Sequence, residues 1–177
     1  MDKVESNKLI ERIQKSDKEA LQEFYDGYSK KIMAVAFYMT RNVHDAEDVL
    51  NIVLEKFWRS NFKHVDNISG LAYKVTKLSA LNYLRDNKKN RDALKFNEQL
   101  ERKATSTIDL LEQNMVVADI LGQVKEKYRD VVFKYILFED TFQEIADDMG
   151  ISKSVIHRRY CCAIKILKQK FTKHNII

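Results

Sequence analysis

The run Thr141-Phe142-Gln143-Glu144-Ile145-Ala146-Asp147-Asp148-Met149-Gly150-Ile151-Ser152-Lys153 decides how the second half of the chain folds. Thr141 and Glu144 have the spacing of a capping box, in which each side chain bonds a backbone amide of the other. The helix they open carries Ile145, Ala146 and Met149 inward and Asp147 and Asp148 outward. Gly150 supplies the left-handed residue that stops it, Ile151 plugs the gap, and Ser152 caps a second helix. There Ile156, Tyr160, Ala163 and Leu167 form a buried side, and Lys153, Ser154, His157, Arg158, Cys161 and Cys162 face outward. Ala146 is small where two steeply crossing helices meet. Cap, small residue, glycine, cap and basic exposed face together spell a DNA-reading helix-turn-helix.

The outward residues suit that chemistry. Arg158 can bond guanine with two hydrogen bonds, and His157 or Ser154 can donate or accept at a base edge. Arg159, Lys165 and Lys168 are better placed for phosphates, which give affinity rather than sequence choice. Charge is distributed accordingly. From Ile108 to Ile151 ten acids face four bases, whereas Ser152 to Ile177 holds seven bases and no acid. The end of the chain is therefore a candidate phosphate-binding surface.

Upstream, helical spacing runs through Leu9, Ile13, Leu21, Phe24, Tyr25 and Tyr28, then Ile32, Val35, Ala36 and Met39. Asp45, with Asp48 three residues on, is placed to cap a helix whose inner side is Val49, Leu50, Ile52, Val53 and Phe57. Residues 61–67 read as an ordered loop. A helix from about Ser69 to Asn87 is expected to bury Leu71, Val75, Leu78, Leu81 and Leu84. Lys88 to Thr107 is charge-rich without a strong apolar stripe, as in a tether. Periodicity returns with Leu110, Leu111, Val117, Ile120, Leu121, Tyr128, Val131, Val132, Tyr135 and Ile136. The expected fold is all-α: a helical domain over 1–87, a flexible linker over 88–107, and a helix-turn-helix domain over 108–177.

Composition narrows the function classes. The 177 residues include no proline and only four glycines, which favours helices joined by short turns. The N-terminus lacks the apolar core of a secretory signal. The longest nearly uncharged stretch, Ile32 to Thr40, is about half of a bilayer span. Cys161 and Cys162 are adjacent and suit reduced thiols, so a cytoplasmic protein is expected. The four histidines lack metal-ligand spacing, and no phosphate-cradling loop or nucleophile elbow occurs. Asp45, Glu47 and Asp48 share a first helical turn, where the dipole favours carboxylates. No catalytic residue, metal or cofactor is expected.

Two blocks in register resemble the extracytoplasmic-function sigma factors. Asp45-Ala46-Glu47-Asp48-Val49-Leu50-Asn51 with Phe57-Trp58 is similar to the family's core-binding helix. Tyr73-Lys74-Val75 and Ala80-Leu81-Asn82-Tyr83-Leu84-Arg85 resemble its promoter-reading helix. Lys127 to Val131 and Phe142 to Ser152 resemble its fourth domain. The resemblance implies that Asp45, Glu47, Asp48, Asn51 and Glu55 meet the clamp helices of core RNA polymerase. It implies that Phe62, Lys63, His64, Lys74, Lys77, Asn82, Arg85 and Lys88 meet the minus-ten element of promoter DNA and assist its melting, with Phe62 and His64 stacking on unpaired bases. Lys153, Ser154, His157, Arg158, Arg159, Cys161, Cys162 and Lys165 would read the minus-thirty-five element. An anti-sigma protein wedged between the domains is a partner the tether would permit.

The chain departs from the family pattern at several places. Asn51 and Ile52 replace a glutamine and a glutamate, Leu71 and Leu78 a tryptophan and an asparagine, and Val124-Lys125 a leucine-proline. Two other readings compete: a regulator with a single helix-turn-helix, and an all-helical protein–protein adaptor.

Overall fold

The computed structural model describes residues 3–59, 62, 65, 67–94 and 120–173, and every described element is helical. The helices are α1 (Lys3–Gln14), α2 (Lys18–Thr40), α3 (Val43–Arg59), α4 (Ile68–Leu94), α5 (Glu126–Val132), α6 (Phe142–Met149) and α7 (Lys153–Lys173). A π-turn, Phe133–Leu137, continues α5.

Helix starts follow side-chain chemistry. Asp17 accepts from the amides of Glu19 at 2.9 Å and Ala20 at 3.1 Å, opening α2. These bonds, with the Arg12 guanidinium, hold its carboxyl below the usual range. At α3 the expected cap is one turn late. The helix already runs from Val43, and Asn42 Oδ1 accepts the Asp45 amide at 3.1 Å. Asp45 therefore lies inside the first turn, where the helix dipole still favours its charge.

Helices α1–α4 pack around Leu9, Ile13, Phe24, Ile32, Val35, Val49, Val53, Phe57 and Ile68. Phe24 stacks on Phe57 with ring centroids 4.2 Å apart. Tyr25, expected inside, is exposed. Helix α4 departs most from expectation. Leu78 and Leu81 are 51% and 49% exposed, Leu71 and Leu84 are half-buried, and the buried face is Ile68, Ala72, Tyr73, Val75, Thr76, Ser79 and Ala80. Small residues bring α4 close to its neighbours, and the Thr76 hydroxyl satisfies itself on the Ala72 carbonyl at 2.7 Å. Nor does α4 stop at Asn87: it continues to Leu94, taking in the first seven residues of the expected tether. Residues 95–107 of that tether, and Leu110, Leu111 and Val117, lie outside the described residues.

The second half forms two small clusters. Ile120, Val124, Val132, Ala163 and Leu167 make one; Val131, Ile145, Ala146 and Ile156 make the other. The π-turn adds a residue to the helical period and so rotates the chain beyond it. Tyr135 and Ile136, expected inside, are exposed, and Phe133 and Lys134 turn inward instead. Phe133 and Phe138 then join the core of the first half. The two halves are thus packed against each other.

Candidate polymerase and nucleic-acid interface

The helix-turn-helix is built as the sequence indicates. Thr141 Oγ1 accepts the Glu144 amide at 3.2 Å, and Glu144 Oε2 accepts the Thr141 amide at 2.7 Å, a reciprocal cap on α6. Gly150 ends α6 at φ +64°, a conformation that costs other residues about 1–2 kcal/mol. Ile145, Ala146, Ile156, Ala163 and Leu167 are buried, and Tyr160 is half-buried beside Tyr135, 4.8 Å between centroids.

The opposite side of α7 is open. Lys153, Ser154, His157, Arg158, Cys161, Cys162, Lys165 and Lys168 are exposed, and Arg159 is half-buried. His157 stands edge-on to Phe142 at 5.5 Å, near the N-terminal end of α7. Cys161 Sγ lies 3.8 Å from His157 Nε2, and both thiols are free.

On α3, Glu47, Asp48, Asn51 and Glu55 are exposed and Asp45 is half-buried, giving one polar face. Glu55 pairs with Arg59 at 3.1 Å one turn along. Tyr83 of α4 reaches this face and donates to Asp45 Oδ1 at 3.0 Å and Asp48 Oδ2 at 2.7 Å. Partial burial, and then the bonds to Asp48 and Asp45, push its phenol up to about 12. Motif reading quoted Tyr83 without a role, because the partners that tie it to this face lie 35 and 38 residues away.

The expected minus-ten residues are divided. Lys74, Asn82 and Arg85 are exposed on α4. Lys77 is engaged: its Nζ lies 2.7 Å from Asp130 Oδ2 and 2.6 Å from Glu126 Oε1, both on α5. Burial opposes its charge, but the bonds and charges of those two carboxylates outweigh burial and hold its pKa above the ordinary value. Phe62, expected to stack on bases, is half-buried; its ring centroid lies 5.1 Å from that of Phe57, and its carbonyl accepts from Gln14 Nε2 at 3.0 Å. An aromatic ring flanked by core has a stronger claim on burial than on solvent. Lys63 and His64, and the Lys88 side chain, lie outside the described residues.

Among the described residues no group of three or more histidines, cysteines or carboxylates could hold a metal, and no helix is long and apolar enough to cross a membrane.

The family described as Sigma-70 region 2 matches residues 24–90, which covers most of α2, all of α3 and most of α4. No curated protein matches the chain in sequence. A solved structure, "Structure of CnrH in complex with the cytosolic domain of CnrY", shares the fold with a TM-score of 0.65 at 16% identity, over 93% of this chain and 96% of that one. The region 2 match falls on the helices that carry the acidic α3 face and the cationic α4 face: residues 24–90 are similar to Sigma-70 region 2, and the chain as a whole shares the fold of CnrH.

Proposed function

We propose that the chain is a sigma factor of the extracytoplasmic-function type, that it carries core RNA polymerase to promoters by gripping DNA at two places, and that it assists strand opening at the nearer one. The polar face of α3, with Glu47, Asp48, Asn51 and Glu55 exposed, docks on the polymerase clamp helices. Lys74, Lys77, Asn82 and Arg85 of α4 follow the backbone of the minus-ten element. His157, Arg158 and Ser154 at the start of α7 read base edges of the minus-thirty-five element, while Arg159 and Lys165 hold phosphates. Neither contact needs to be tight alone, because tethering raises the effective concentration of the second. The protein has no catalytic role of its own; polymerase supplies the chemistry, in the cytoplasm.

One observation supports this reading: the region 2 match coincides with the α3 and α4 faces, while the open basic face of α7 lies outside the matched residues. A lone helix-turn-helix regulator or an adaptor accounts for only one of the two. CnrH was solved with the cytosolic domain of CnrY. A protein partner fits the chain proposed here as well, and for a sigma factor that partner is an anti-sigma protein.

The deciding experiment mixes the purified chain with bacterial core polymerase and a library of genomic promoter fragments, and sequences the transcripts. Start sites sharing two spaced elements support the proposal. Asp48→Arg should weaken core binding, and Arg158→Glu with Lys165→Glu should abolish promoter selection while core binding persists. Transcripts no different from core polymerase alone, together with no core binding, would reject it.

A further inference from the structure

Two free thiols, Cys161 and Cys162, stand on the open side of α7. Cys161 Sγ lies 3.8 Å from His157 Nε2 and 3.9 Å from Nδ1, one turn back, and Phe142 stands edge-on to that imidazole at 5.5 Å. The same face holds exposed Ser154, His157, Arg158 and Lys165, so Cys161 sits in the middle of the surface proposed to meet DNA. From Ser152 to Ile177 the chain has seven bases and no acid. An exposed thiol beside an imidazole, in cationic surroundings, is placed to act as a nucleophile, whereas a thiol packed in a core is inert. Cys162 shares the exposure but not the imidazole. Successive side chains project about 100° apart around a helix, so a bridge between the two thiols would require α7 to break.

We propose that Cys161 is a modification site for small anionic disulfides, and that the mixed disulfide formed there blocks the DNA-facing side of α7. The consequence for DNA rests on the reading of α7 given above; the modification itself does not. The thiol passes its proton to the His157 ring or to water, and the thiolate attacks one sulfur of the reagent. The reagent's S–S bond breaks, a new one forms to Cys161 Sγ, and the second sulfur leaves as a thiolate that takes up a proton. Cys161 is oxidised, half of the reagent is reduced to a thiol, and no other oxidant is needed. A cationic surface draws an anionic reagent faster than a neutral or cationic one. The adduct then sets bulk and carboxylates between Arg158 and Lys165, where phosphates would have to come. Because Cys162 points elsewhere on the helix, the adduct persists until an external thiol removes it.

The full chain is treated with glutathione disulfide, which is anionic, or cystamine, which is cationic, and adducts are followed by mass spectrometry of the intact chain and its peptides. Glutathione disulfide should place one adduct per chain, on Cys161; Cys161→Ser should remove it and Cys162→Ser should leave it. The ratio of glutathione disulfide to cystamine rates should be about tenfold higher for the chain than for N-acetylcysteine amide, a gain that about 0.5 M salt erases. Binding of a fluorescein-labelled random-sequence DNA duplex, read by anisotropy, should weaken about tenfold on adduct formation and return with dithiothreitol. Whatever affinity Cys161→Ser has of its own, glutathione disulfide should not change it. No adduct, an adduct confined to Cys162, or a rate ratio equal to that of N-acetylcysteine amide overturns the proposal. So does an adduct that leaves duplex binding intact while Arg158→Glu/Lys165→Glu weakens it. If that charge swap also leaves duplex binding intact, the reading of α7 fails, and the block of DNA fails with it.

Discussion

Asp140→Asn should stabilise this protein at neutral pH and abolish a pH dependence that the wild type shows. Asp140 is only 3% exposed, accepts from Asn67, and lies 3.9 Å from Lys134 Nζ. Burial pushes its carboxyl from 3.8 up to about 6, against the smaller opposing effects of Asn67 and Lys134. The folded protein thus holds this proton more tightly than the unfolded chain does. Stability is greatest when Asp140 is protonated in both states and declines as pH rises through the window from about 4 to 6. Each tenfold change in proton affinity is worth about 1.4 kcal/mol, so ionised Asp140 costs at most about 3 kcal/mol at pH 7 and about half of that at pH 5. The amide cannot ionise, still accepts from Asn67, and leaves Lys134 its 2.8 Å partner Asp148. Glu126 works in the opposite direction: Lys77 lowers its pKa, so its contribution is present above pH 4.5 and fades as pH falls below. That contribution is common to both proteins and cancels in the comparison. Urea unfolding followed by circular dichroism at pH 7 and pH 5 measures the gap. A variant less stable than the wild type at pH 7, or a gap of equal size at both pH values, would refute the reasoning.

Two further outcomes probe the helix-turn-helix. Thr141→Ala removes the reciprocal cap on α6 and should cost about 1 kcal/mol in urea unfolding, with promoter selectivity unchanged once the protein is folded; altered start sites would show that the cap also sets the docking angle. Ile156→Ala empties a fully buried site against Val131, Ile145 and Ala146 and should cost about 2–5 kcal/mol. Because α3 packs in the other half, core polymerase binding by pull-down should survive that substitution, and its loss would show that the halves fold as one unit.

Local signals were readable where the chemistry is local. Thr141, Glu144, Gly150 and Ser152 specify their own turns within a few residues, so the helix-turn-helix and the open face of α7 follow from the sequence alone. Helix α4 was misphased because leucine looks like core and alanine, threonine and serine look like surface. Packing between helices reverses that preference when close approach matters more than side-chain volume. Ala72, Thr76, Ser79 and Ala80 are buried, and Leu78 and Leu81 are outside. The π-turn had no sequence signal to betray it, so Tyr135 and Ile136 fall outside the expected stripe while Phe133 and Lys134 turn inward. Lys77 with Asp130, and Tyr73 with Asp130, join residues 53 and 57 apart. No periodicity reaches that far. The acidic run was visible as a charge imbalance, but its partner on α4 could only be found in three dimensions.

The contact between the halves combines two kinds of attachment that respond to different conditions. Phe133 and Phe138 are buried in the first half's core and meet Tyr73 at 6.3 and 5.5 Å, so they hold the halves together at any ionic strength. The ion pairs differ. Glu139 is 77% exposed where it meets Lys31, and such a pair contributes about 1 kcal/mol or less and weakens with salt. The Lys77–Asp130 pair is better shielded, with side chains 24% and 15% exposed. A contact with so much of its attraction in exposed charge can be opened by a competing polyanion or by docking energy without unfolding either half. Tyr83 makes that opening relevant to polymerase, because this one α4 residue holds both Asp45 and Asp48. On the proposed reading, a clamp that engages the α3 carboxylates also pulls on the helix whose other face the second half covers.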